Sequence, residues 1–285
     1  MTATRCIALR IIVSAVMFAL PSTLAPQAKR MVPTDARKAG SLFRVHVPQH
    51  QCTSVRSASL AGEPLHFHQV GDTSFAVAAV PIDSAKGISL HLVCANGDSS
   101  VSRLSTQASA YRMERLRVAP AFSATPDSAL TLRMRLEGEK AAEVSRNAHH
   151  TPRLWSKPFV VPRTSRVTSG FGSGRTFNDV VTSRHMGTDY AGAVGATVRA
   201  ANRGIVRLTG AFYLGGNVVY IDHGEGLVTA YLHLSKQLVA VGDTVEQGGV
   251  IGEVGATGRV TGPHLHFIVR YGGITVDAAS LWGVR

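Results

Sequence analysis

Acidic residues are scarce in this chain: 18 Asp and Glu stand against 30 Lys and Arg in 285 residues, a formal net charge of +12. Such a balance points to an anionic partner. Cysteine is scarcer still, with three residues, too few for a disulfide-dense scaffold. Charged residues make up only 17% and hydrophobic ones 45%, which excludes a disordered polyelectrolyte and describes a folded, core-forming protein. No apolar run approaches the roughly 20 residues that a membrane-spanning helix needs. There is no His-Glu-x-x-His motif, so no helix-borne metal site with a glutamate base, and no recognisable nucleic-acid module. Fixed-period repeats and low-complexity segments are absent as well.

What is present begins with residues 1–25, which read as a secretory signal. Arg5 and Arg10 give a positive start, "IIVSAVMFAL" an apolar stretch, and "PSTLA" a small-residue end. Removal of that segment would leave 28 basic and 18 acidic residues, a net charge of +10. Export then turns the expected anionic partner from nucleic acid to cell-wall polymer or a membrane surface, without stable insertion once the signal is gone. It also leaves Cys52 and Cys94 as the only cysteines in a compartment that permits disulfides, and they are expected to bond to each other.

Residues 26–40 have the composition of an exposed leader. Residues 41–118 are a series of short alternating apolar runs such as "LFRVHV", "SFAVAAV" and "ISLHLVC", broken by Gly-Asp and Asn-Gly turns, and predict a small β-sandwich. Residues 119–157 are rich in helix formers and predict a helical or extended connector, solvated because its charge is mixed. From residue 158 to 285 glycine dominates: 22 of the 28 glycines lie beyond residue 150, punctuating short strands. A compact, all-β second domain is expected there.

The second domain also collects histidines. In "GPHLHFIVRY" His264 and His266 lie two apart in a strand, hence on one face. In "SRHMGTDYAG" His185 and Asp189 lie four apart and can share a face whether the segment is extended or helical. With His266 they offer two nitrogens and one carboxylate, the ligand composition of a catalytic zinc site with one position left for water. "YLHLS" adds His233. The first domain has a similar pair, His66 and His68 in "HFH", but no partner set, so these two are expected to be structural.

In order along the chain, "RHMGTD", "AYLHLS", "VGDTVEQGGVIGEVGATG" and "TGPHLHF" make residues 158–280 resemble the lysostaphin-type zinc endopeptidases, which cleave peptidoglycan cross-links. The resemblance implies that His185, Asp189 and His266 bind Zn2+ and that His233 and His264 are catalytic. The substrate would be peptidoglycan stem peptides. In the periplasm of a diderm bacterium cross-links usually run from D-alanine to diaminopimelate, which favours D,D-endopeptidase activity over glycyl-glycine cleavage. A non-catalytic wall-binding protein or amidase activator is the alternative, and a regulatory partner is left open. His223 is expected to be surface or structural, and His149 and His150 simply polar. Phe212, Tyr213, Tyr231 and Trp282 are assigned to the core.

Overall fold

The computed structural model describes residues 36–84, 86–179 and 181–284, so the expected signal segment and most of the leader lie outside the described residues. No described helix is long and apolar enough to cross a membrane. The architecture is all-β apart from one long helix and short 3-10 turns.

Besides a short parallel pair, Arg37–Lys38 with Thr106–Gln107, the first half of the chain forms two small antiparallel sheets. In one, Thr73–Ala79 pairs with Leu42–Pro48 and with His68–Val70; in the other the order is Glu63–Pro64, Val55–Leu60, Ile88–Cys94, Ser99–Leu104. Alternation does the work: Ile88, Leu90, Leu92 and Cys94 of one strand are buried while Ser89, His91 and Val93 are more exposed. Val45, Val47, Leu60 and Leu104 complete this part of the core. Cys52 and Cys94 are disulfide-bonded, with Cα atoms 5.7 Å apart, and tie the approach to Val55–Leu60 to the strand beside it.

The second half is built on a ten-stranded antiparallel sheet, whose main path is Val167–Ser169, Thr188–Ala191, His264–Tyr271, Leu227–Gln237, Gly216–Gly224, Gly204–Phe212 and Thr244–Val245. Tyr231, Phe267, Leu265 and Leu234 are fully buried on one face. Tyr231 is core, as expected, and Trp282 stacks on Phe267; Phe212 and Tyr213 are only partly buried.

Two elements depart from expectation. Ser128–Asn147 is helical, with Asp127 capping its N-terminus, and although most of its residues are exposed, one side of it docks. Its small residues Ala141 and Ser145 are buried, which lets the helix lie against the ten-stranded sheet, and Glu137 accepts a hydrogen bond from the Tyr213 backbone N–H. The strand Met113–Leu116, expected among those of the first sandwich, instead pairs in parallel with Gly174–Phe177, which pairs in turn with Val181–Arg184. The chain preceding the helix therefore reaches across to the second half.

The two halves also meet at a joint of histidines and carboxylates. Glu63 lies 3.0 Å from His149 Nε2, whose Nδ1 is 3.0 Å from His66 Nε2; His68 Nε2 lies 2.6 Å from Glu225. Tyr271 donates to the Pro64 carbonyl, and the Gly273 N–H donates to Glu63. His66, His68 and His149 are thus structural, although His149 does more than the simple polar role expected of it.

Acid should loosen this fold. Burial, and then the neighbouring His149, His68 and His150, push His66 down to about 4; burial also pushes His223 down to about 4, against its bond to the Arg203 carbonyl. A histidine whose folded pKa is depressed takes its proton more readily when unfolded, so stability falls as pH drops from about 6.5 to about 4. Glu63 acts with the same sign at lower pH, because its bond to His149 holds its carboxyl below the usual value despite burial. The thermal midpoint is expected to fall steadily between pH 7 and pH 4, and His66→Gln to flatten that slope; a midpoint constant over this range would contradict the assignment.

Candidate metal centre and its groove

Strand register brings the site together. Asp189 of Thr188–Ala191 stands directly opposite His266 of His264–Tyr271, and Ala191 opposite His264. Directly paired residues share a face, and residues two apart share it too, so Asp189, His264 and His266 converge. His185 enters from the turn just before Thr188. His266 Nδ1 is 2.7 Å from Asp189 Oδ1, His185 Nε2 is 3.0 Å from the same oxygen, and the two nitrogens are 3.0 Å apart. All three residues are nearly buried. Gly187 is required beside them, since a Cβ there would lie 2.6 Å from the His266 ring.

His233 arrives by an irregularity. Leu232 pairs with His266, so simple alternation would turn His233 to the opposite face, into the core beside Tyr231. A β-bulge opposite Val218 and a left-handed φ of 63° at His233 turn it back. Its ring then stands 4.9 Å from that of His264 and 5.7 Å from that of His266, centroid to centroid. A non-glycine residue held at such a φ costs about 1–2 kcal/mol, and strain of this kind concentrates at functional sites.

Carbonyl oxygens set the tautomers. His185 Nδ1 lies 2.8 Å from the Gly170 carbonyl, His233 Nδ1 2.8 Å from that of Thr257, and His264 Nδ1 2.8 Å from that of Gly262. Because a carbonyl only accepts, Nδ1 carries the proton in each case and Nε2 keeps a lone pair directed to the site. Burial tends to raise the Asp189 carboxyl, but the facing His185 and His266 rings outweigh it and hold the group well below the usual carboxylate range. Burial lowers His266 despite Asp189; burial, followed by the neighbouring His266 and His264, pushes His233 down to about 3.

The donor set fits zinc. Zinc bonds of about 2.0–2.2 Å at tetrahedral angles need donors about 3.3–3.5 Å apart, a few tenths of an ångström beyond the 2.7–3.0 Å found here. Two nitrogens and one carboxylate are borderline-soft ligands that suit it, and His185 is oriented through its second nitrogen by a backbone carbonyl, as metal-binding histidines are.

Several side chains around the centre carry no sequence signal. Arg175 donates to Asp189 Oδ2 at 2.8 Å, to Glu114 at 3.0 Å and to Ser169 at 2.8 Å, fixing the outer oxygen of the carboxylate. Ser169 Oγ lies 3.1 Å from His185 Nδ1. A cavity of about 340 Å³ opens on one side of the centre, bounded by Asp189, His233 and His264 and, from the crossing strand, Glu114 and Leu116. A second, of about 330 Å³, opens on the other side along His185, His266 and Leu214. His223, by contrast, is no site residue; it is fully buried between the Arg203 carbonyl and Thr229, not at the surface.

Residues 183–278 match the profile of Peptidase family M23. The chain is 45% identical over 112 residues to the peptidoglycan DD-endopeptidase ShyC of Vibrio cholerae serotype O1, covering 38% of this chain and 25% of that protein. It is 43% identical over 118 residues to the DD-carboxypeptidase/endopeptidase Mpg of Neisseria meningitidis serogroup B, covering 41% of this chain and 27% of that one. The chain thus spans about a quarter of the length of either relative. A solved structure of a candidate M23 peptidase from Pseudomonas aeruginosa superposes with a TM-score of 0.68 at 26% identity, over 88% of this chain and 96% of that one, so the similarity in shape extends through the first half as well.

Proposed function

We propose that this chain, whose residues 183–278 are a Peptidase family M23 domain, is an exported zinc-dependent endopeptidase that hydrolyses peptide cross-links of bacterial peptidoglycan in the periplasm or outside the cell. The observation that carries the reading is the convergence of His185 Nε2, His266 Nδ1 and Asp189 Oδ1 within 3.0 Å of one another, with His233 and His264 beside them.

His185, Asp189 and His266 would hold the ion. When bound, zinc supplies Lewis-acid polarisation of the scissile carbonyl and an acidified water. The chain's own groups do the rest. Arg175 holds Asp189 in place through its second oxygen. His233 and His264, each with its proton on Nδ1 and its Nε2 free, give one acceptor for the proton of the attacking water and, once protonated, a donor for the departing amine. These two imidazoles are the groups placed beside the centre to pass protons between the water and the amine.

A D-alanyl–diaminopimelate bond is the favoured substrate, in keeping with relatives named DD-endopeptidases and with a basic chain meeting an anionic polymer. Purified sacculi should be incubated with the zinc-loaded protein and the released muropeptides identified by mass spectrometry. Cross-linked dimers are expected to give way to monomers with glycan strands and amide-linked stems intact. Binding without hydrolysis would replace the reading with that of a non-catalytic wall protein.

A further inference from the structure

Two guanidinium groups stand on the divide between the two cavities. Arg175, Phe177, His233 and Arg259 line both, so a peptide crossing the centre passes all four. Arg175 is neutralised by Glu114 and Asp189. Arg259 is not: among the described residues no carboxylate forms an ion pair with it. Its guanidinium lies over the Phe177 ring, 4.0 Å from the centroid, and is partly buried. Burial, and next to it the like charge of Arg175, lower its pKa, as expected for a cation without a counter-charge.

The backbone that carries it is also fixed. The Arg259 backbone N–H donates to the Leu214 carbonyl at 2.9 Å. Gly258, at a φ of +76°, packs so closely on that segment that a Cβ would lie 2.4 Å from Gly216 N. A desolvated, positioned guanidinium without a partner is a receptor for a planar anion, which it can grip with two parallel hydrogen bonds.

We propose that Arg259 is a specificity-determining residue that receives a free carboxylate on the amine side of the scissile bond. The inference rests on the endopeptidase reading above and goes further by naming the group recognised. In a D-alanyl–diaminopimelate cross-link the scissile nitrogen is attached to a carbon that bears a free carboxylate. A glycine on the amine side bears none. Arg259 lines both cavities together with His233, so it borders the place where a peptide crosses the centre. The carboxylate on the carbon next to the scissile nitrogen is the anionic group of the cross-link that lies closest to the reacting amide.

The test measures binding apart from cleavage. In the full-length, zinc-loaded His264→Ala protein, which should turn its ligand over about 10²- to 10⁴-fold more slowly, calorimetry would compare a purified D-alanyl–diaminopimelate dimer with the same dimer amidated at that carboxylate. The free acid is expected to bind about 10- to 100-fold more tightly, the worth of a charged hydrogen-bonded contact. Adding Arg259→Gln should make the two affinities equal, and Arg259→Lys should keep part of the preference. Equal affinities with Arg259 intact, or a preference that survives Arg259→Gln in a protein with an unchanged near-ultraviolet dichroism spectrum, would overturn the proposal. Should Arg259→Gln fail to fold, Arg259→Lys decides, since loss of the bidentate fork must reduce the preference. Discrimination by Arg259 in a chain that, with His264 restored, hydrolyses neither dimer would leave this inference standing and remove the endopeptidase reading instead.

Discussion

His266→Ala is expected to yield a folded protein with no bound zinc and no measurable sacculus hydrolysis. His266 contributes one of only three donor atoms, 2.7 Å from Asp189 Oδ1 and 3.0 Å from His185 Nε2. Catalytic zinc sites hold the ion with three protein ligands, so two leave it weakly bound. The fold should tolerate the change: the Cβ stays in place on a strand paired on both sides, and the ring lost is one that Gly187 gives way to. Loss of the ion removes carbonyl polarisation and water activation together, so this is the largest activity effect expected of any single substitution. Zinc measured by mass spectrometry in the purified variant, beside hydrolysis of sacculi, provides the check. Stoichiometric zinc in His266→Ala would take this residue out of the metal centre.

Much of the centre could be read from the sequence because it follows from strand geometry. The alternation in "HLHF" places His264 and His266 on one face, and the four-residue spacing allows His185 and Asp189 to join them. His233 is different. Alternation alone would send it into the core beside Tyr231, and it reaches the site through a bulge and a left-handed φ that "YLHLS" does not announce; its catalytic role was implied only by the family resemblance. Arg175 and Glu114 were illegible for another reason. Their meeting depends on the parallel pairing of Met113–Leu116 with Gly174–Phe177, a contact between distant segments with no local pattern. Likewise "HFH" has the same spacing as "HLH", yet its partners are Glu225 and His149, because the first half supplies no acid facing both rings. The helix Ser128–Asn147 was visible in its composition, whereas its docking was not, since the buried contact is made by Ala141 and Ser145 and not by an apolar stripe.

Replacement of the two remaining histidines should separate metal binding from proton transfer. His264→Ala and His233→Asn are expected to retain most of the zinc and to lose activity by about 10²- to 10⁴-fold, the usual contribution of a positioned acid or base. Neither residue belongs to the trio of converging donor atoms: His264 Nε2 stands 3.6 Å from Asp189 Oδ1, and His233 is anchored through Nδ1 to the Thr257 carbonyl. Asparagine is the better replacement at residue 233 because it tolerates the φ of 63° there, where alanine would carry the steric cost without the histidine's bonds. Both variants should therefore be strongly impaired in hydrolysis, though less than His266→Ala, and match the unmutated protein in metal content. An active His233→Asn protein would remove that residue from the chemistry, and a metal-free His264→Ala protein would mean that the two histidines of "HLH" exchange roles, with His264 holding the ion and His266 handling the proton.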